Sequence, residues 1–489
     1  MRKNILVYSV LLVVFGLGIA VIMEFGSRLY SGQKVPFKRI VPSQTMPPTL
    51  QTQEPAVAGK SLGMGLFDNL HHPLSILLLQ VILIIMAARI FGHLFQKIGQ
   101  PAVIGEMVAG ILLGPSLLGM LAPGVEAFLF PASSMDALKL LSQIGVILFM
   151  FVVGIELNLQ YLRQKAHAAV LVSHVSIIVP FFLGGTFALF AYRSLADSNV
   201  SFTAFALFIG IAMSVTAFPV LARIIEERGL SKSYLGSTAI ACAAVDDVTA
   251  WCILAIVVAI AKATGYSGAL LTISLALVFI GIMLFLIKPL ASRLMDTNDG
   301  NVTQSKGLVA GVLTFVCASA LFTEVIGIHA LFGAFLAGVV MPQHASLRVF
   351  LKERLETFSS VFLLPLFFAF TGLRTQIGLL NDWSNWLMCA GIIAIAIAGK
   401  LGASALAARW TGMSWYDSLA IGTLMNTRGL MELIVLNIGY DMGILSPRIF
   451  AMMVIMALAT TFMTGPLLAL IDLVKRREAV RNPATSLAA

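Results

Sequence analysis

Between Leu235 and Ile260 the chain is apolar for long enough to cross the ~30 Å hydrocarbon core of a bilayer, yet two adjacent carboxylates, Asp246 and Asp247, sit inside that run in ACAAVDDVTAWCIL. Each acid at mid-span costs about 2.5–3.5 kcal/mol to insert, so the pair costs roughly 5–7. Only a fold that turns both acids toward protein or water can hold them. One acid would suffice to lock two helices together; two in tandem point to function.

The rest of the chain has the same character. Of 489 residues, 59% are hydrophobic and only 11% charged, far below the quarter of a soluble domain, and mean hydropathy is +0.95. An all-α polytopic membrane protein follows, with the lipid bilayer as its surroundings. A net charge of +9 would suit nucleic acid, but the basic residues lie in short loops between apolar runs, where they act as orientation signals. No nucleic-acid partner is expected. Cys242, Cys252, Cys317 and Cys389 all fall inside apolar segments without metal-ligand spacing and read as packing residues. No Walker loop, dinucleotide motif or metal cluster is present in the sequence, so the chain reads as neither an enzyme nor a cofactor binder.

Ile5–Met23 reads as a retained anchor helix, and Glu24–His72 as an extramembrane linker. Thirteen apolar segments follow, near 73–95, 101–119, 138–157, 168–192, 203–225, 235–261, 267–290, 306–325, 328–342, 357–373, 385–408, 415–438 and 447–471. Lys97, Arg163, Lys165, Arg223, Arg228, Lys232, Lys288, Arg293, Arg348, Lys352, Arg354, Arg409 and the KRREAVR stretch fall on one side. That richer side is cytoplasmic by the positive-inside rule, which puts both termini inside an inner, multi-pass cell-membrane protein. Residues 472–489 read as a short cytoplasmic tail.

Adjacent positions on a helix point ~100° apart, so one acid can face a cavity while the other faces a neighbouring helix. Close carboxylates resist simultaneous ionisation and low dielectric acts the same way, so this pair can hold a proton near neutral pH. A carboxylate that holds either a proton or a small cation is the minimum part of an exchanger. Lys400, deep in GIIAIAIAGKLGASALAAR, is the natural counter-charge for one of the two acids. The fifth and twelfth segments each carry a helix breaker near the middle, Pro219 and Gly429, with Ser214 and Thr216 beside the first and Asn426 and Thr427 beside the second. Interruptions at matching ranks in two halves mark a transporter site. Arg428 and Glu432, four apart, form a mutual pair on one face. Glu106 and Glu324 are single acids that either line a cation funnel or support a helix bend, and His329 reads as a helix-start residue.

QPAVIGEMVAGILLGPSLLG, GVILFMFVVGIELN, SVTAFPVLARI, AAVDDVTAW, GIHALFGAFLAGVVMP, FTGLRT and MNTRGLMELIVLNIG, in this order, resemble motifs of monovalent cation:proton antiporters. The likeness is to the branch with bacterial Na⁺/H⁺ and K⁺/H⁺ antiporters and plant cation/H⁺ exchangers. The resemblance implies a 13-helix inverted-repeat fold with two crossed broken helices, to which the N-terminal helix is an addition. It implies a homodimer, a dimer panel at about 73–157 and 306–373, a moving core at about 168–261 and 385–471, and a linker helix at about 267–290. Within 73–471, Asp247 matches the ion- and proton-binding acid, the site of a monovalent cation such as Na⁺, K⁺ or Li⁺. Asp246 matches a second acid associated with electrogenic exchange, and Lys400 the lysine that pairs with it. The expected function is secondary active exchange of such a cation for protons. Alternatives are a proton-coupled symporter of a small solute, or a sensor or channel on the same fold.

Overall fold

The computed structural model describes residues 2–30, 69–70, 72–156, 166–230, 233–262, 266–295, 306–342 and 345–481. Apolar sequence at spanning length becomes helix because lipid cannot satisfy a free backbone, and the described residues are helical almost throughout. In order they form α1 (Arg2–Leu29), α2 (Pro73–Lys97), α3 (Ala102–Leu113), the short α4 (Leu118–Leu121) and α5 (Pro123–Leu129), then α6 (Ala132–Glu156) and α7 (Ala166–Leu195). A broken helix follows, α8 (Phe202–Ser214) and α9 (Phe218–Glu227), then α10 (Tyr234–Lys262), α11 (Tyr266–Gly281) and α12 (Lys288–Met295). The second half holds α13 (Lys306–Val325), α14 (Ala330–Val339), α15 (Ala345–Phe358), α16 (Leu364–Arg374), α17 (Trp383–Ile397) and α18 (Ala403–Trp410). A second broken helix, α19 (Trp415–Met425) and α20 (Leu430–Asp441), precedes the last, α21 (Pro447–Arg481). Among the described residues twelve helices are long and apolar enough to cross a membrane, and α14 is a shorter apolar helix beside them.

Three boundaries differ from the sequence reading. Helix α1 runs on to Leu29 because Glu24 pairs with Arg28 one turn later at 2.7 Å, so the polar stretch continues the helix. The tenth segment begins at Ala345, ahead of the apolar run. There Lys352 holds Glu156 of α6 at 2.5 Å, and a π-helical turn at Ser359–Leu363 joins α15 to α16. Helix α21 passes residue 471 to Arg481, and Lys475 reaches Asp417 at 3.0 Å, so much of the expected tail is helix. Most of the linker 24–72, Arg163, Lys165 and Lys232 lie outside the described residues.

Burial places the two broken helices at the centre: their windows are 89% and 94% buried, against 11% for the Leu270–Arg293 span. Irregular backbone is tolerated at membrane depth only where protein surrounds it, which is where the fold puts both interruptions. Helix α7 packs on α8, α10 and α18, while α3 packs on α2 and α16 and α6 packs on α14 and α16. The added helix α1 lies along α7, with Phe15 edge-on to Phe182 and the Tyr30 hydroxyl donating to the Leu189 carbonyl at 2.8 Å.

With lipid on both sides of the comparison, helices associate through close packing of small residues. A Cβ on Gly372 of α16 would lie 2.3 Å from the Gly110 carbonyl carbon of α3, closer than any real contact. Gly372→Ala is therefore expected to force α3 and α16 apart and destabilise the protein by about 1–3 kcal/mol. A thermal melt in detergent checks this, and an unchanged midpoint contradicts the close approach.

Candidate functional site

The site grows from the two interruptions. Pro219 is the second residue of α9, where its missing N–H is not needed; inside a continuous helix it would leave the Val215 carbonyl without a donor and clash with it, so α8 stops at Ser214 and the chain runs extended to Ala217. In the other helix, α19 stops at Met425 and α20 starts after Gly429. A Cβ at Gly429 would sit 2.9 Å from the Val220 side chain, so only glycine lets the breaks come this close. The crossing is hydrogen-bonded directly: Ala217 N–H donates to the Thr427 carbonyl at 3.0 Å, and the Thr216 hydroxyl donates to the Met425 carbonyl at 3.1 Å.

Each helix end that faces the crossing with free carbonyls thus receives a donor. For α8 the donor is Arg428, whose Nη1 and Nη2 donate to the Ala212 and Met213 carbonyls at 2.8 and 2.7 Å. Nη1 also holds Glu432 at 2.9 Å, with both side chains fully buried. The expected Arg428–Glu432 pair exists, and the arginine does more than pair: it caps a helix 216 residues back in the chain.

Helix α10 brings Asp246 and Asp247 against this crossing, at 0% and 1% exposure. Lys400 arrives from the other side on a π-helical turn, Ala398–Gly402, between α17 and α18. Its ammonium donates to Asp246 Oδ2 at 3.1 Å, to the Thr216 hydroxyl at 2.6 Å and to the Ser176 hydroxyl at 2.9 Å, which uses all three hydrogens. Asp246 Oδ2 also accepts the Thr216 backbone N–H at 3.0 Å. Asp246 is therefore the locked acid. By contrast, neither oxygen of Asp247, nor Oδ1 of Asp246, nor Oδ1 of Asn426 has a donor from the protein.

Not every candidate belongs to this cluster. Thr216 does. Ser214 turns its hydroxyl to the Ile177 and Gly210 carbonyls, and Thr427 to the Leu424 carbonyl, so both tie backbone. The Asn426 amide nitrogen points to Met463 sulfur at 3.8 Å. Glu324 accepts from Ala330 N–H at 2.9 Å at the start of α14, where His329 is the capping residue, so it secures a helix start. Glu106 is buried on α3 against Gly92 of α2 and makes none of these contacts. Ser176 was missed. Its signal was the Ser173/Ser176 spacing on one face of α7 in an otherwise apolar run. All four cysteines are free.

Membrane-length helices, two of them unwound and crossing beside a buried Asp–Lys pair and a second acid with no partner, define an ion-coupled secondary transporter. The chain belongs to the transmembrane sodium/hydrogen exchanger family, whose profile, "Sodium/hydrogen exchanger, transmembrane", matches residues 81–471. It is 47% identical over 395 residues to the Na⁺/H⁺ antiporter NhaS4 of Synechocystis sp., covering 81% of this chain and 96% of that one. It is 39% identical over 419 residues to cation/H⁺ antiporter 17 of Arabidopsis thaliana and 33% over 437 to K⁺/H⁺ antiporter 1 of Saccharomyces cerevisiae. Those matches take in 83% and 87% of this chain and about half, 50%, of each of those relatives. The sodium proton antiporter MjNhaP1 of Methanocaldococcus jannaschii superposes with a TM-score of 0.57 over 79% of this chain and 94% of that one, at 14% identity, a likeness of fold.

Proposed function

We propose that this protein exchanges a monovalent cation for protons by alternating access, with Asp247 as the acid that carries each in turn. One observation supports this most: at the crossing of two broken helices, one of two adjacent buried acids is held through one oxygen by Lys400 and the Thr216 backbone while the other has no protein donor at all. An unpaired acid at membrane depth is costly as an anion, so it takes a proton or a cation. A cation at Asp247 also draws on the free Oδ1 of Asp246, which weakens the hold of Lys400; a proton leaves that pair intact. Cation and proton then compete for one place, which is the condition for exchange. Releasing Asp246 from Lys400 frees the ammonium to give up a proton as Asp247 gives up its own, so one cation exchanges for two protons in an electrogenic cycle.

We further assign α7–α10 and α17–α21 to a moving core and α2, α3, α6 and α13–α16 to a panel that pairs two copies. The packing partners within each group support this division. On α2 the residues Leu74, Leu78, Ile82, Met86, Ile90 and Leu94 present one exposed apolar stripe, suited to a second copy. At the end taken as external, Asp441 of α20 binds Lys139 of α6 at 3.1 Å and Arg374 of α16 at 2.8 Å. These bonds clasp core to panel and keep that side shut.

The test is dequenching of a pH dye in proteoliposomes of the purified protein, titrating NaCl, KCl and LiCl with and without a voltage clamp. The expected result is cation-dependent proton flux whose rate follows the clamp. Absence of flux with all three cations overturns the exchange, and indifference to voltage overturns the two-proton count.

A further inference from the structure

Trp251 stands one helical turn beyond Asp247 on α10. Helical side chains lean toward the N-terminus, so the indole lies over the turn that carries the acid. The residue is 4% exposed, and its Nε1–H donates to no protein group. Both Asp247 oxygens are equally buried and accept from none. Buried polar atoms are satisfied almost everywhere in proteins, so a lone donor and two lone acceptors one turn apart on one helix call for a partner the protein itself does not supply. The ring is held in place from the other side of the core–panel boundary. It stacks on Phe335 of α14 with centroids 6.2 Å apart and planes at 22°.

Indole nitrogen is a donor only, so it neither ligates a cation nor takes up a proton. It binds an oxygen. We propose that Trp251 is a positioning residue of the ion site, whose Nε1–H donates to a water oxygen held against Asp247 and so keeps one water in the shell of the bound cation. That water accepts from the indole with one lone pair, turns the other to the cation and donates its hydrogens to Asp247. The inference rests on the reading of Asp247 as the ion-binding acid. Ionisable groups facing Asp247 are Asp246 on its own helix and Lys400 on the π-helical turn, with Arg428 and Glu432 of the second broken helix acting on Lys400.

Trp251→Phe keeps the ring and its stacking on Phe335 and removes the N–H. In the proteoliposome assay the half-saturating NaCl or KCl concentration is expected to rise roughly five- to tenfold, the value of one hydrogen bond between neutral groups, with the maximal rate within twofold of wild type. A residue that only packs gives the reverse: a Phe variant like wild type in both readouts. That result overturns the proposal. Where the phenyl ring proves too small to fold around, β-(3-benzothienyl)alanine at position 251 keeps the indole shape without its N–H and is read the same way. Asp247→Asn measured alongside separates the two levels. If it still transports, the parent reading fails; if it is inactive and Trp251→Phe matches wild type, only this inference fails.

Discussion

Asp247→Asn vesicles are expected to show no collapse of a pH gradient on adding Na⁺, K⁺ or Li⁺, with rates at the level of protein-free liposomes. The amide keeps the shape of the side chain and removes both the exchangeable proton and the negative charge. No second acid stands ready, because Asp246 is spoken for by Lys400 and the Thr216 backbone. The variant should nevertheless fold, and its melting midpoint in detergent should equal or exceed that of wild type, since the lost charge had no protein donor. Asp246→Asn should behave oppositely in the melt. It leaves the fully buried Lys400 ammonium without its counter-charge, a loss of about 3–5 kcal/mol. Two neighbours of one residue type thus give different stability effects. Equal midpoints for the two variants, or retained gradient collapse in Asp247→Asn, would remove the basis for dividing their roles.

Arg428→Met is expected to destabilise the protein as strongly as Asp246→Asn, by about 3–5 kcal/mol, seen as lost expression and a lowered melting midpoint. The guanidinium satisfies two carbonyls at the broken end of α8 and the buried Glu432 at once. Its removal strands three acceptors where no lipid or neighbouring donor can replace it. Adding Glu432→Gln should recover part of the loss by removing the stranded charge, but not all of it, because the Ala212 and Met213 carbonyls remain uncapped. Full recovery in the double variant would mean the arginine serves only its ion pair.

The chemistry of the site was legible because lipid penalises what it does not tolerate. Asp246, Asp247 and Lys400 stand out of apolar runs by charge alone, and Pro219 and Gly429 out of helical runs by backbone. Those are single-residue signals needing no knowledge of neighbours. The positions of Glu106 and Glu324 were equally conspicuous, yet Glu324 secures the start of α14 and Glu106 on α3 lies against Gly92 of α2. A buried-looking acid in sequence says that its charge must be compensated or lost, not by what.

What the sequence determined by itself is therefore the element order, the membrane class and the short set of residues that cannot face lipid, because transfer out of water is paid residue by residue. Tertiary structure alone decided which acid Lys400 engages, that Ser176 and Thr216 complete its shell, that Arg428 caps α8, and that the Trp251 ring meets Phe335. Those facts join residues up to 224 positions apart. They depend on the angle at which two broken helices cross and on a π-helical turn that re-aims one lysine, and both are set by packing among helices, not by the local run of side chains.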